Sequence, residues 1–369
     1  MRRTGPITFE RYMTLCLYHP EFGYYTQGRE RTGVAGDYFT SSDLHPVFAR
    51  LVARQAAEMW KAVGCPQPFT WVEMGAGRGI FAADFLSWST RALPEFAAAL
   101  DYVAMEPGAQ QRQHIQDRLA DIGMRGKVRL LGNLEELAPA TGCFFSNELV
   151  DAFPVSVVTR TGGHLKEIYV MAEGDDLREK PGPISNPAVA AHVARYAPHL
   201  EEGHRVEVNR QAPEWMHAVA AKLTSGFVLT IDYGDLANRL FTPDRPRGTL
   251  LAYRGHTAAE DFFTAPGETD LTAHVNFSAL IDAGKADGLE LAGFTTQEKF
   301  LLGLGEANQF ADVYDPGQTE FEMLQARLKL KRLISPEGMG NIFKVLVQQR
   351  GVPQTRLTGF KFERGASFE

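Results

Sequence analysis

The chain has 369 residues, 44% of them hydrophobic and 22% charged, which is enough apolar material for one large or two medium globular domains and too much for a disordered or fibrous chain. Its 38 basic and 45 acidic side chains leave a net charge of −7, a field that does not attract phosphate backbones and so excludes nucleic acid as the main partner. Cys16, Cys65 and Cys143 make neither a disulfide frame nor a paired metal knuckle, so a reducing compartment is expected and no metal site.

The opening MRRTGPITFERYM has no apolar run behind its arginines, and no stretch approaches the roughly 20 apolar residues of a membrane span. No export signal and no membrane insertion are expected; the setting is cytoplasmic, or the mitochondrial matrix if the source is eukaryotic. Residues 1–68 crowd Tyr12, Leu15, Leu17, Tyr18, Phe22, Tyr24 and Tyr25 around Pro20 and Gly23, then give turn-rich GVAGDYFTSSD and a helix over 46–63. They form an N-terminal cap whose Gly33 to Ser42 stretch is a lid loop, with Asp37 placed to close over a cofactor or touch it.

From residue 69 to 153, strand-like FTWVEMG, LDYVAMEP, KVRLLGN and CFFSNEL alternate with helical IFAADFLSWSTRAL and GAQQRQHIQDRLADI. Strand, helix, strand in this order requires parallel crossovers, so an α/β, Rossmann-like, doubly wound and mostly parallel sheet is expected. Residues 154–224 interrupt it as an inserted α+β lobe: a hairpin turning at Gly162 and Gly163, GDDLREKPGPISNP as a loop, and two helices flanking HRVEVN. The core resumes over 225–350 with SGFVLTIDYG, a helix over 277–287 and two final strands; a reversed edge strand fits there, with Lys344 and the Gln348 to Arg350 tail blunting the edge. Residues 351–369 are a tail.

The strongest local signal is Val72 to Gly79, VEMGAGRG, ending the first strand just before a helix. Gly75, Gly77 and Gly79 let the backbone turn sharply and approach a ligand, and the helix start offers free N–H groups; Glu73 precedes the loop on the strand. The spacing lacks the third glycine of a dinucleotide fingerprint and no GK[ST] follows, which argues against NAD and ATP. Glu106 ends the next strand, where an acid accepts from ribose hydroxyls. Loop and acid together are the pattern of S-adenosyl-L-methionine. Asn133, after the third strand, falls where such sites contact adenine.

At the end of the fourth strand, Asn147, Glu148 and Asp151 should face the transferable methyl group and meet the acceptor. A helix N-cap competes as the role of Asp151. His256, in YRGH, is a candidate general base if the acceptor is a hydroxyl or phenol on a small molecule.

The stretches GPITFERYM, LYHPEFGYY, GDYFTSSD, EMGAGRG, NELVDAFP, IDYG, YRGH, DLTAHVNFSAL and PEGMGNIFKVL cover nearly the whole chain, and through them it resembles the MidA family of methyltransferases. Mitochondrial members of that family are known as arginine methyltransferases assisting assembly of respiratory complex I. The resemblance implies a Rossmann-like core, a methyl donor in the glycine loop and a protein arginine as acceptor. The chain departs from the family's NEFFDALP at Leu149, Val150 and Phe153, and from its common aspartate at Asn133. Two alternatives stand beside the arginine expectation: a small-molecule O- or N-methyltransferase of a biosynthetic pathway, and a cofactor-binding assembly chaperone without catalysis. Oligomeric state is not legible.

Overall fold

The computed structural model describes residues 5–27, 33, 36–37, 40–354 and 356–363. Much of the expected lid, including Tyr38 and Phe39, lies outside them, as do the N-terminal arginines. The chain divides into two compact units, Phe39–Leu149 with His217–Asp232 and Gly284–Glu369, and Met1–Tyr38 with Val150–Met216 and Tyr233–Ala283. The residues expected as one cap are thus shared between the units, and residues 233–283, expected in the core, belong with the lobe.

The first unit is built on β1 (Phe69–Met74), β2 (Leu100–Met105), β3 (Val128–Leu131), β4 (Ala140–Asn147), β5 (Leu223–Asp235), β6 (Glu290–Thr296) and β7 (Phe343–Arg350), in the spatial order β6-β7-β5-β4-β1-β2-β3. The pairs β3/β2, β2/β1, β1/β4 and β4/β5 are parallel and β6/β7 is antiparallel. The α/β expectation therefore holds. The strand that carries Lys344 lies inside the sheet, however, and β6 forms the edge. Seven of the eight residues of β7 are buried, Lys344 turns its ammonium to the Asn341 carbonyl, and Arg350 binds the Ala220 and Leu223 carbonyls. Polar residues at the ends of a strand read as edge protection; here they tie the strand in.

All six residues of β1 are buried because helices cover both faces of a parallel sheet. Trp71 packs 4.9 Å from Phe85 of the helix Ile80–Ala92 and 5.2 Å from Phe145 of β4, centroid to centroid. This aromatic wedge fixes the first helix against the strands whose carboxyl ends carry the site.

The second unit pairs Ser156–Thr161 with His164–Glu173 through the expected Gly162–Gly163 turn. Asp176–Gly182, expected as a loop, is a third strand on His164–Glu173; Pro181 and Gly182 disguised it, although each tolerates the end of an outer strand. Leu251–Arg254, Thr257–Ala259 and Asp270–Thr272 form a separate antiparallel sheet. The N-terminal tyrosines are held by named partners: Tyr12 donates to the Phe262 carbonyl, Tyr18 to that of Ala152, and Tyr25 to Asp270. Among the described residues, no helix is long and apolar enough to cross a membrane.

Candidate functional site

Three glycines with positive φ, Gly75 (73°), Gly77 (53°) and Gly79 (71°), turn the chain from β1 into the helix Ile80–Ala92. An L side chain resists each of these conformations. Gly79 is the helix N-cap and offers no side-chain cap, so the N–H groups of the first turn stay available to a ligand. A Cβ on Gly75 would meet Leu149 Cδ1 at 2.9 Å, and one on Gly79 would meet Ile115 at 3.1 Å, whereas at Gly77 the nearest atom is the Gly75 carbonyl oxygen at 4.0 Å. The open side of the loop is therefore at Gly77.

Glu106, one residue beyond β2, lies against this loop: Oε2 accepts from the Gly77 N–H at 3.0 Å and Oε1 from the Gly108 N–H at 3.1 Å. Glycine loop and strand-end acid thus come together, and a cradle left open by a missing Cβ beside a carboxylate fits the adenosyl portion of S-adenosyl-L-methionine. Replacing Glu106 by alanine is expected to weaken donor binding by about 1.5 to 3 kcal/mol, with glutamine losing less. Isothermal calorimetry measures this, and equal affinities in all three proteins would remove Glu106 from the donor site.

Two other expected donor contacts are occupied within the protein. The Glu73 carboxyl takes the Tyr102 hydroxyl at 2.7 Å between neighbouring strands. Burial pushes its pKa up to about 8; the tyrosine bond opposes this and Glu106 adds to it. The side-chain carbonyl of Asn133, expected near adenine, accepts from the Glu135 and Glu136 N–H groups as the cap of a short 3₁₀ turn.

At the carboxyl end of β4, Asn147 is the last strand residue and Glu148 adopts a left-handed conformation, φ 52°. A non-glycine residue is uncommon there and is held by the surrounding structure at a backbone cost. Glu148 Oε1 accepts from the Ser41 N–H at 2.9 Å and from Asn147 Nδ2 at 3.0 Å. Glu148 Oε2 and Asn147 Oδ1 are buried with no hydrogen-bond partner among the described residues. Burial pushes the Glu148 pKa up to about 8; the Ser41 and Asn147 bonds pull it down, and Asp232 and Asp43 raise it further.

Sequence reasoning missed the supports of this carboxylate. Thr40 caps a short helix, Ser41–Leu44, whose Asp43 pairs with Arg78 of the glycine loop at 3.0 Å. Asp232, three residues before the end of β5, accepts from the Leu149 N–H at 3.2 Å. The donor loop, the Ser41 segment and Glu148 are therefore one connected network. Asp43 and Asp232 sat in noted motifs, GDYFTSSD and IDYG, but nothing in linear order showed what they face.

Asp151, Asp37 and His256 belong to the second unit. Asp151 is buried in a turn with no helix after it, so the N-cap role is absent; its carbonyl accepts from the Ala273 N–H, and its charge, with that of Asp270, follows burial in raising the Tyr253 pKa. Asp37 accepts from the Tyr24 hydroxyl at 2.8 Å and the Gly255 N–H at 2.7 Å, and its carbonyl takes the His256 N–H at 2.8 Å. Gly255 (φ 55°) and His256 (φ 61°) form the two-residue turn between Leu251–Arg254 and Thr257–Ala259, as a type I′ hairpin requires. Asp37 is thus the anchor of the YRGH turn.

A family model described as an S-adenosyl-L-methionine-dependent methyltransferase matches residues 51–295. The chain is 27% identical to the mitochondrial protein arginine methyltransferase NDUFAF7 of Mus musculus, over 99% of this chain and 85% of that one, and 26% identical to its Homo sapiens counterpart, over 99% and 84%. A crystal structure of a Burkholderia thailandensis protein bound to S-adenosyl-homocysteine superposes with a TM-score of 0.88 at 31% identity, covering 97% of this chain and 91% of that one. Fold and site thus define an S-adenosyl-L-methionine-dependent methyltransferase with a Rossmann-like core. The chain belongs to the MidA family of these enzymes.

Proposed function

We propose that the enzyme methylates an arginine side chain of a protein substrate, held at the carboxyl end of β4. One observation carries this reading: Glu148 Oε2 and Asn147 Oδ1 are two buried acceptors without a donor among the described residues, and a guanidinium is a planar array of donors that stays charged because its pKa exceeds about 12. The names of the mitochondrial relatives point the same way.

S-adenosyl-L-methionine, when bound, supplies an electrophilic methyl group on a sulfonium sulfur. The residues of this chain then have three tasks. Gly77 and Glu106 hold the adenosyl portion. Glu148 and Asn147 take the N–H groups of the acceptor and fix one nitrogen in the orientation an in-line displacement needs. Glu148 Oε2 also accepts the proton the methylated nitrogen releases, a role suited to a carboxyl whose pKa burial has raised toward neutrality. The three unpaired cysteines accord with a reducing setting such as the cytoplasm or a mitochondrial matrix.

The deciding experiment incubates a cell lysate with the enzyme and methyl-labelled donor, then hydrolyses the protein fraction. Label in ω-methylarginine is expected. Label confined to small metabolites would overturn the arginine reading in favour of a small-molecule acceptor.

A further inference from the structure

The helix Glu320–Ile334 is apolar on two faces. Thr319 and Glu322 close its capping box, and its 15 residues extend about 22 Å. One face is explained: Ala326 and Leu333 are buried, with Met323 and Leu330 half-buried at the same helical spacing. The other is not. Phe321, Leu324 and Leu328, spaced i, i+3, i+7, are 66%, 51% and 59% exposed and make up three of the eight large exposed apolar side chains among the described residues. A surface helix normally turns a polar face to solvent, and a row of this kind marks a contact surface. It lies on no residue used for donor or acceptor.

The charges along the helix identify the occupant. Glu320 and Glu322 occupy the first turn, and Arg327, Lys329, Lys331 and Arg332 follow in the second half. Laid antiparallel on a second copy of itself, the helix sets its acidic start against the partner's basic end and Phe321 against Leu328, with Leu324 near the two-fold axis. A parallel pair would juxtapose like charges. An anionic lipid surface would favour basic residues along the whole flank, which the acidic first turn contradicts. We infer that this helix is the interface of a two-fold homodimer, its two halves self-complementary in charge. One helix pair buries less than the roughly 1,600 Å² of a standard interface, so the dimer forms in a concentration-dependent way.

Sedimentation velocity on the full chain, from low to high micromolar concentration, tests this. The parent is expected to shift from monomer to dimer, and Leu324→Glu and Phe321→Glu to weaken association at least ~10-fold while keeping the parent's circular dichroism and donor binding. Glu320→Lys should also weaken it, and adding Lys331→Glu, which lies on the same flank of the helix, to that variant should restore it. A parent that stays monomeric at every concentration, or a dimer indifferent to Leu324→Glu, overturns the assignment. Cosedimentation of a monomeric parent with anionic vesicles, lost in Leu324→Glu, would assign the face to lipid instead.

Discussion

Replacing Glu148 by glutamine is expected to lower turnover at least ~10²-fold, the usual scale for losing a positioned charged group at a reacting centre, while leaving most donor affinity intact. Glutamine keeps the shape and one acceptor but removes the charge that holds a guanidinium, and its amide places a donor where the acceptor's own N–H groups must point. Among the described residues its contacts are the Ser41 N–H and the Asn147 amide, both on Oε1, and a glutamine Oε1 can accept the same two bonds. Single-turnover kinetics and calorimetry on the same protein separate the two effects. Full turnover in Glu148→Gln, with His256→Ala folded but inactive, would replace the arginine reading by that of a base-assisted small-molecule acceptor.

The same carboxyl makes activity and stability depend on pH in opposite directions. Its pKa in the folded protein is about 8, raised chiefly by burial. Only the ionised form clamps a cation, so kcat/KM should climb with pH toward about 8 and level off above it, and this limb should vanish in Glu148→Gln. A carboxyl whose folded pKa lies above its unfolded value binds its proton more tightly in the native state. Its stabilising contribution is full in acid, below the ordinary carboxylate range, and is lost as pH rises through about 8. Glutamine, neutral throughout, should therefore raise Tm more at pH 9 than at pH 6. A residue that destabilises its own fold at working pH is the expected signature of a functional carboxylate.

The sheet and the donor loop were legible in the sequence because both rest on local signals: glycines at 75, 77 and 79 between a β-rich run and a helical one, and Glu106 at the next strand end. Glu148 was legible as a strand-end acid, but its left-handed backbone and its Ser41 support were not, since residues 41 and 148 meet only through the fold. The strand Asp176–Gly182 was lost to its proline and glycine, whose local preference a pairing partner overrode. Asn133 and Asp37 were legible as positions, but their partners were not. Each is a small polar residue at the expected place, yet each satisfies its own neighbourhood first, Asn133 by capping a turn and Asp37 by binding the Gly255 N–H. A motif position says where a side chain starts, and only the surrounding N–H groups decide what it accepts.

Gly77→Val should abolish measurable donor binding while the sheet survives, and the three loop glycines together make this more than a disruption test. At Gly79 an added Cβ would press on Ile115 at 3.1 Å, so Gly79→Ala reports mainly on stability. At Gly75 it would displace Leu149, the neighbour of Glu148, so Gly75→Val disturbs donor and acceptor sides together. At Gly77 the added side chain enters open space beside the Glu106 carboxylate, where the contact within 4 Å is the Gly75 oxygen at 4.0 Å. The fold then bears only the backbone penalty of an L residue at φ 53°, roughly 1–2 kcal/mol, which a domain of this size tolerates. Donor binding bears the full overlap, because the branched side chain fills the space the adenosyl portion needs. Calorimetry with S-adenosyl-L-methionine and a thermal melt on each variant give the pattern: Gly79→Ala loses Tm with affinity largely kept, and Gly77→Val loses affinity with Tm largely kept. Parental affinity in a folded Gly77→Val protein would reduce the loop to a strand-to-helix turn and move the donor site elsewhere.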